Sequence, residues 1–389
     1  MSAFGGINVL LFGDLHQFPP VMKNGALYYP DSPTMGPSVG RRLFESFTTV
    51  VTLTQQMRVQ DVAWTDMLTR LRVGGCTKDD IAMVQSLVLT DGSSEKPDFR
   101  KKPWSDAVLV TSRNSVRDKW NTAAVRQHCR SSKQLLYICP SEDTIGKDRR
   151  PVSRSELLAI SNLPLKQTGR LSAQIELAIG MRGMVLLNIA TESDLANGSR
   201  GSVSGIVLDS RENGQGAEDG VMKLGYPPAC VIFKLDHCSF PRFEGLEANE
   251  IPIFPSETSF KISAATGAKT TVKRRQLALT PAYAFTDYKA QGQTIEYVIV
   301  DLDESTRNSM DPFHAYVALS RSRGRSTLRL LRGFRTQLLT EHPSQHLEPE
   351  DKRLAALNLT TKMLYERDKE HEQLANSATS GVKGTRGRN

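Results

Sequence analysis

The sequence is poor in cysteine and has no long apolar run. Its 389 residues include five cysteines, and none of them form a Cys-x-x-Cys pair. A disulfide framework or a zinc site is therefore not indicated, and a reducing compartment is expected. No stretch approaches the roughly 20 apolar residues of a membrane-spanning helix, and the first residues lack the basic and apolar regions of a secretory signal. We expect a soluble intracellular protein with no membrane partner.

The charge balance is moderately basic. There are 50 Lys and Arg residues against 42 Asp and Glu residues, which gives a formal net charge of +8. This excess favours an anionic partner such as nucleic acid without demonstrating one. At 39% hydrophobic residues, the chain is long enough for two or three domains with their own cores.

Residues 13–20, Gly-Asp-Leu-His-Gln-Phe-Pro-Pro, follow the apolar run at 7–12. We call these eight residues the octet. A short apolar run that ends in Gly-Asp predicts a buried parallel strand that delivers polar groups to a nucleotide site. The alternative is that Asp14 only caps a turn. The pattern assigns no role to His16.

Apolar periodicity predicts alternating strands and helices over most of the chain. The predicted strands lie at 9–12, 50–53, 107–111, 297–302 and 327–331, and the predicted helices at 64–71, 115–128 and 312–319. This alternation indicates an α/β layer with a parallel sheet. From 164 to 280, short segments separated by Asn-Gly and Gly-rich turns predict a small antiparallel barrel instead. The charged end is expected to become disordered over 377–389.

Three later segments place polar or cationic residues beside the ends of predicted elements. Arg58 closes Gln-Gln-Met-Arg after a predicted strand, where its guanidinium can reach a phosphate. Thr286, Lys289 and Gln291 lie close together in Ala-Phe-Thr-Asp-Tyr-Lys-Ala-Gln-Gly-Gln-Thr, and Arg321 ends Tyr-Val-Ala-Leu-Ser-Arg. Taken alone, each arginine would more often be a surface or salt-bridge residue.

In this order, the four segments resemble motifs III, IV, V and VI of the superfamily 1 DNA helicases of the Pif1 and RecD type. Residues 197–201, Asn-Gly-Ser-Arg-Gly, are similar to a turn in the small SH3-like insertion of that family. The resemblance covers about residues 4 to 335 in family order. Four motifs in sequence make it specific.

The resemblance implies an α/β fold with the parallel sheet of a RecA-like P-loop NTPase and an SH3-like β insertion. Residues 1–60 would be the remnant of an incomplete first lobe, and 61–163 with 281–336 a complete second lobe. Residues 164–280 would be the insertion, and 337–389 a charged tail, part helical and part disordered. The strand at 9–12 would lack neighbours and leave apolar side chains exposed.

The resemblance also implies roles for individual residues. Gln17 would sense the γ-phosphate or its attacking water, and Arg58 and Arg321 would stabilise the transition state, where an arginine finger is worth about 10³–10⁵ in rate. These three are the expected catalytic residues. The expected nucleotide-binding residues are Gly13, Asp14, Gln17, Arg58, Gly292 and Arg321. The expected DNA-binding residues are Thr111, Asn114, Arg200, Thr286, Lys289 and Gln291. No metal ligand is expected.

The basic run Lys273-Arg274-Arg275 has two interpretations. It is either a solvated strand edge or a set of contacts to DNA phosphates. The sequence does not decide between them.

The family uses ATP and Mg²⁺ and moves 5′→3′ on single-stranded DNA. A phosphate loop and an Asp-Glu pair would have to precede the octet, and neither does within this sequence. The strand-like residues 298–304 imitate the acidic segment, but their position after motif V makes them a second-lobe strand. We therefore expect the C-terminal part of a helicase that binds neither ATP nor Mg²⁺ securely alone and needs a missing N-terminal lobe. The alternatives are a non-catalytic single-stranded DNA-binding module and a remnant without function. The nucleus is the expected location, with the mitochondrion left open.

Overall fold

The computed structural model describes residues 3–20, 26–29, 38–92, 96–146, 148–191, 195–213, 216–237, 240–263, 269–302 and 310–382. The helices are α1 (Ser38–Glu45), α2 (Val62–Leu71), α3 (Lys78–Gln85), α4 (Asn114–Ser132), α5 (Arg154–Ser161), α6 (Asp287–Ala290), α7 (Pro312–Leu319), α8 (Gln337–Thr340) and α9 (Leu347–Val382). The strands are β1 (Val108–Thr111), β2 (Leu136–Pro140), β3 (Glu142–Ile145), β4 (Arg150–Pro151), β5 (Gln174–Leu177), β6 (Arg182–Val185), β7 (Arg200–Val207), β8 (Val221–Lys223), β9 (Cys230–Leu235), β10 (Glu250–Ile253), β11 (Ser256–Ser263), β12 (Lys269–Gln276), β13 (Leu279–Pro281), β14 (Ala284–Thr286), β15 (Val298–Asp301) and β16 (Leu328–Leu330).

The chain divides into two compact units. Residues 1–96 and 290–389 form one, which we call the N/C unit, and residues 97–289 form the other, the central unit. In the N/C unit, β15 pairs in parallel with β16. The apolar helix α7 begins with Pro312 after the N-cap Asp311, whose side chain accepts a hydrogen bond from the amide of His314. The predicted strands and helix in this region are confirmed.

The central unit contains a second parallel pair, β1 with β14. The side chain of Asn121 on α4 is buried, donates to the carbonyl of Ala284 and accepts from the amides of Tyr283 and Ala284. One amide side chain thus satisfies backbone groups that are hidden from water. The predicted α/β class with parallel strands is confirmed.

Most of the remaining central unit is antiparallel, as the short segments predicted. A five-stranded sheet has the order β10-β9-β7-β6-β13, and its core includes Val203, Val231 and Phe233. Strands β2 and β3 lie in the range expected for the second lobe, yet β2 pairs with β5 and β3 with β12. The assignment of lobes and insertion to their ranges stays a prediction.

Two predicted strands are absent, at 9–12 and at 50–53. Leu10 is 80% exposed and Phe12 is 87% exposed, so the predicted burial is wrong, whereas the predicted exposure of apolar side chains is confirmed. A strand needs a partner for its backbone, and neither run pairs with a strand in the described ranges. Instead, the amides of Val50 and Thr52 donate to side chains of α9.

The end of the chain is more helical than its composition predicts. Helix α9 continues to Val382, and 383–389 lie outside the described residues, so the expected disorder of 377–389 stays a prediction. Extending an existing helix adds a hydrogen bond for each residue fixed, which favours continuation. Within the part of the chain that the structure describes, none of the helices combines the length and apolarity needed to cross a bilayer.

The basic run lies on β12, which is flanked by β11 and β3 and is not a sheet edge. Arg274 is 2% exposed and donates two hydrogen bonds to the carboxylate of Asp143, at 2.8 and 2.6 Å. The solvated-edge interpretation is therefore wrong. The Arg274 side chain is occupied by a buried ion pair.

Gly201 on β7 permits a close approach of two strands. A Cβ atom at this position would lie 2.1 Å from the carbonyl oxygen of Lys234 and 2.8 Å from the Phe233 ring. We expect Gly201→Ala to lower the free energy of unfolding by about 3 kcal/mol, measured by urea denaturation, because the obstacle includes backbone. Gly205→Ala on the same strand is the control, since its Cβ would meet only the Ile232 side chain at 3.3 Å. Equal effects of the two changes would contradict the prediction.

Candidate nucleotide site and nucleic-acid interface

Asp14 organises the octet in the N/C unit. Its carboxylate accepts the amide of His16 at 3.1 Å, and its carbonyl accepts the amide of Gln17 at 3.1 Å. Asp14 thus caps the turn, as the alternative interpretation proposed. The Gln17 side chain accepts a hydrogen bond from Nε2 of Gln291 at 3.1 Å. This contact joins the octet to the segment that resembles motif V, in which Gln291 lies. Sequence order does not reveal this pairing.

Arg58 lies between two other motif segments of the same unit. Its Nε donates to the Thr294 hydroxyl at 2.9 Å, and its Nη1 donates to the carbonyl of Ser320 at 3.0 Å. Burial lowers the pKa of Arg58. Three residues further on, Asp61 caps α2 and accepts two hydrogen bonds from the Arg325 guanidinium at 2.6 and 2.9 Å. Together with the contact between Arg58 and Ser320, this link fixes residues 58–61 against residues 320–325.

Arg321 is 1% exposed at the end of α7. It donates to the carbonyls of Val317 and Gln293 and to the hydroxyl of Ser320. Burial, followed by the positive charge of Arg58, lowers its pKa to about 10, and Tyr316 and Asp14 oppose this shift. Its acceptors in the structure are uncharged.

Arg58 and Arg321 are thus two cations held near one another. Across the described ranges of the chain, neither is within ion-pair distance of a carboxylate. A desolvated cation without a counter-ion is costly, and two together are more so. Such an arrangement suits a polyanionic ligand that supplies the missing negative charge.

Arg72 and Tyr316 belong to the site although sequence reasoning gave them no role. The Arg72 guanidinium donates to the Asp14 carboxylate at 2.9 Å and to the Tyr316 hydroxyl at 3.2 Å, and it lies 5.5 Å from the centre of the Tyr316 ring. Tyr316 is the first residue of the segment that resembles motif VI, so the sequence contained a signal that could have identified it as a site residue. Nothing in the sequence connects Arg72 with the octet.

The two candidate glycines have open surroundings. Gly292 has a φ of +78°, a left-handed conformation that glycine adopts without strain, and a Cβ there would contact nothing within 4 Å. Gly13 is exposed and equally unobstructed. Both positions are compatible with the close approach of a ligand to the backbone.

Five of the six expected DNA-binding residues lie in the central unit. Thr111 and Thr286 are directly paired at the carboxyl ends of the neighbouring parallel strands β1 and β14. Lys289 follows on α6 and donates to the side-chain oxygen of Asn197, in the Asn-Gly-Ser-Arg-Gly turn. Burial, and then the charge of Arg170, lower the pKa of Lys289.

The same turn makes a second contact with this strand end. The Arg200 guanidinium lies 5.5 Å from the centre of the Phe285 ring, and burial lowers the Arg200 pKa. Asn114 is exposed at the start of α4. The sixth candidate, Gln291, lies in the N/C unit. The structure therefore brings most of these candidates to one end of β1 and β14.

The described residues contain no group of three or more His, Cys, Asp and Glu side chains arranged to hold a metal ion. Asp301, on the strand that imitates an acidic motif, is buried and accepts two hydrogen bonds from Arg332 at 2.8 Å. Residues 303 and 304 of that segment lie outside the described residues.

No family model matches the chain. Among curated proteins, it is similar to the ATP-dependent DNA helicase PIF7 of Trypanosoma brucei brucei, with 25% identity over 345 residues, which is 82% of this chain and 32% of that protein. It is also similar to the ATP-dependent DNA helicase PIF1 of Emericella nidulans, with 26% identity over 366 residues, 87% of this chain and 44% of that protein. The chain thus spans less than half the length of these two relatives.

Solved structures give the same fold. A crystal structure of Bacteroides Pif1 bound to single-stranded DNA matches 90% of this chain and 67% of its own, with a TM-score of 0.56 and 18% identity. A structure of Bacteroides Pif1 with ADP-AlF₃ and single-stranded DNA matches 91% of this chain and 68% of its own, with a TM-score of 0.53 and 18% identity.

Proposed function

Because the chain is a homologue of the Pif1-type DNA helicases and has their RecA-like fold, we propose that it is the C-terminal part of an ATP-driven 5′→3′ motor on single-stranded DNA. The observation that supports this most directly is the convergence of Gln17, Arg58 and Arg321 in the N/C unit. These residues come from three separate motifs, and two of them are cations without a carboxylate partner in the described ranges. Each of the three contacts the segment 291–294, which in this proposal borders the site of an anion.

In this proposal, ATP is the substrate and its terminal phosphate is the anion. Phosphoryl transfer depends mainly on positioning and on cationic stabilisation of the charge that develops on the phosphate. Arg58 and Arg321 would supply that charge, and Gln17, oriented by its contact with Gln291, would position the attacking water. Asp14 keeps Arg72 beside this group and holds the octet turn in place.

Mg²⁺ is a different case. The described residues offer no carboxylate cluster, and Asp14 is already paired with Arg72 at 2.9 Å. Hard-cation sites need several oxygen ligands. We therefore assign no metal ligand among the described residues and propose that the phosphate loop and the acidic pair belong to a first-lobe segment that acts together with this chain.

The DNA strand would cross the carboxyl ends of β1 and β14. Thr286 is partly exposed there, with Lys289, Arg200 and Asn114 nearby in the same unit, whereas Thr111 is 1% exposed and its hydroxyl accepts the amide of Arg113. Hydroxyl and cationic groups of this kind bind the phosphates of a single strand without reading its sequence. Within the N/C unit, Gln291 would supply a further DNA contact beside Gln17.

We expect Lys289→Ala to weaken binding of an oligothymidylate about tenfold at low salt. Loss of one phosphate contact should also reduce the slope of log K against log salt by about 0.7, the value for single strands. Fluorescence anisotropy across a salt series measures both quantities. Lys261→Ala is the matched control, because Lys261 is an exposed cation of the same unit on β11. An equal loss in both variants, or an unchanged slope, would contradict a direct contact.

A second candidate function is a single-stranded DNA-binding module without catalysis. It is favoured by the division of the site residues, since five of the DNA candidates lie in the central unit and the nucleotide candidates lie in the N/C unit. Salt-dependent binding of the oligonucleotide, with no ATP hydrolysis in its presence, would support this module. Hydrolysis stimulated by DNA would support the motor, and the absence of binding at low salt would exclude both.

A further inference from the structure

Strands β11 and β12 form an antiparallel pair in the central unit, and the two faces of this pair differ. Phe260 and Ile262 of β11 and Val272 of β12 are buried in a small hydrophobic core. Arg274 lies on the same face, with its guanidinium 5.3 Å from the centre of the Phe260 ring. Because successive side chains of a strand point to opposite faces, the residues between these lie on the outer face. Toward residues 263 and 269 the outer face consists of Ser259, Lys261, Ser263, Lys269, Thr271 and Lys273, and we call these six residues the lysine face.

The register of the two strands brings the three lysines together. Lys261 is directly opposite Thr271, and the residues two positions to either side of Thr271 are Lys269 and Lys273. Such diagonal neighbours in an antiparallel pair are about 7–8 Å apart. A hydroxyl side chain lies directly opposite each lysine, with Thr271 opposite Lys261, Ser263 opposite Lys269 and Ser259 opposite Lys273.

The negative charges near the lysine face are confined to one side of it. Glu257, two residues before Ser259, lies 3.8 Å from the Lys273 ammonium and is also paired with Arg149 at 3.1 Å. Within the described ranges, no carboxylate is within ion-pair distance of Lys261 or Lys269. Residues 264–268, which join the two strands in sequence, include no Asp or Glu. The lysine face therefore has an excess of positive charge.

This arrangement complements a chain of phosphates. Like charges on neighbouring positions of a sheet repel one another, and an anionic partner would relieve that repulsion. Lysine ammonium groups and the hydroxyls of Ser and Thr are among the side chains that contact nucleic-acid phosphates. The buried ion pair between Arg274 and Asp143 ties β12 to β3 and holds the sheet behind the lysine face in place.

The composition of the lysine face favours duplex DNA over a single strand. None of its six residues is aromatic, whereas sites for single strands combine cations with aromatic side chains on which bases stack. A duplex carries one negative charge per about 1.7 Å of its axis, about twice the density of one strand alone. A cluster of lysines spread over two neighbouring β-strands therefore gains more from a duplex.

We propose that the lysine face binds the phosphate backbone of duplex DNA without reading its sequence. The central unit would then have two DNA sites, one for the duplex on β11 and β12 and one for the single strand at the carboxyl ends of β1 and β14. The choice of DNA as the partner rests on the proposed function. The lysine face itself requires neither ATP nor the proposed path of the single strand.

The test compares a short blunt-ended DNA duplex with oligothymidylate by fluorescence anisotropy of the full chain across a salt series. The triple variant Lys261→Ala, Lys269→Ala, Lys273→Ala should bind the duplex about a hundredfold more weakly at low salt. Its slope of log K against log salt should fall by about 2.7, because each lost duplex phosphate contact removes about 0.9. Its affinity for oligothymidylate should stay within twofold of the wild type, and a duplex of shuffled sequence should give the same results.

Two further variants serve as controls. The triple variant Lys119→Ala, Lys223→Ala, Lys234→Ala removes the same charge from exposed lysines of the central unit outside the lysine face, and it should retain most of the duplex affinity. Replacing the three lysines of the lysine face with arginine should also retain the affinity, since a guanidinium binds phosphate as well. Thermal melting checks the fold of each variant.

Three results would overturn the proposal. They are a wild-type chain that does not bind the duplex at low salt, a loss of duplex affinity no larger than in the control triple variant, and an equal loss for oligothymidylate and duplex. Failure of the proposed function gives a different result. A chain that binds the duplex through the lysine face but does not bind oligothymidylate would refute the single-strand path and support the duplex site.

Discussion

Under the proposed function, replacing Arg321 with alanine in a protein that also contains the proposed first-lobe segment should lower kcat for DNA-stimulated ATP hydrolysis about 10³-fold, because an arginine that stabilises the transition state would be lost. The structure supplies the physical reason. Arg321 is buried, its acceptors are uncharged, and the neighbouring Arg58 helps to lower its pKa. Under the proposed function we expect this desolvated charge to act on a phosphate.

Steady-state kinetics with a saturating oligonucleotide measure the effect, and thermal melting of each variant checks the fold. Arg321→Lys should not restore the rate, because an ammonium cannot reproduce the directions of the guanidinium hydrogen bonds. Arg323→Ala is the control, since Arg323 is exposed two residues further along the same loop. A folded Arg321→Ala variant with kcat within twofold of the wild type would contradict the assignment.

Asp143→Ala should lower the free energy of unfolding by about 3–5 kcal/mol, because it leaves Arg274 charged, buried and without its partner. Arg274 is 2% exposed, and among the described residues its acceptors are the Asp143 carboxylate and the carbonyl of Leu171, the latter at 3.0 Å. Urea denaturation of the full chain gives the difference. The loss reflects the price of the orphaned charge, not the net strength of the pair.

Two further variants separate the cost of the unpaired buried charge from the net strength of the ion pair. The double variant Asp143→Leu with Arg274→Met should recover most of the loss, since apolar replacements of a buried pair are often neutral or stabilising. Glu142→Ala should cost less than about 1 kcal/mol, because its pairs with Arg211 and Arg275 are partly exposed. If Asp143→Ala lowers the free energy of unfolding no more than Glu142→Ala does, the prediction that the buried pair is more important for stability than the exposed pairs is contradicted.

Local patterns in the sequence were sufficient for several elements. The predicted helix at 312–319 is α7, and the predicted strand at 297–302 contains β15. A cap, a proline at the first turn and a continuous apolar run act within a few residues, so they can be read without knowing the rest of the fold. The four motif segments were likewise found from residues close together in the chain, and the curated proteins to which the chain is similar are DNA helicases of the type that these segments resemble.

The predictions that failed have one physical origin, which is that each depended on a partner distant in sequence. The runs at 9–12 and 50–53 have the composition of strands, but a strand forms only where a partner satisfies its backbone, and α9 side chains bind the amides of Val50 and Thr52 instead. The solvated-edge interpretation of the basic run failed because β12 lies between β11 and β3, and Asp143 lies beside Arg274 only after β3 pairs with β12.

The sequence by itself determined the fold class, most regular elements and the order of the four motifs, because these depend on local periodicity and on neighbouring residues. Only the tertiary structure decided which cations have carboxylate partners, that Gln17 contacts Gln291, and that His16 meets Asp351 across 335 positions of the chain. Charge compensation and hydrogen-bond satisfaction are properties of three-dimensional neighbours. For that reason Arg274 proved to be part of a buried ion pair, whereas Arg58 and Arg321 have no carboxylate partner in the described ranges.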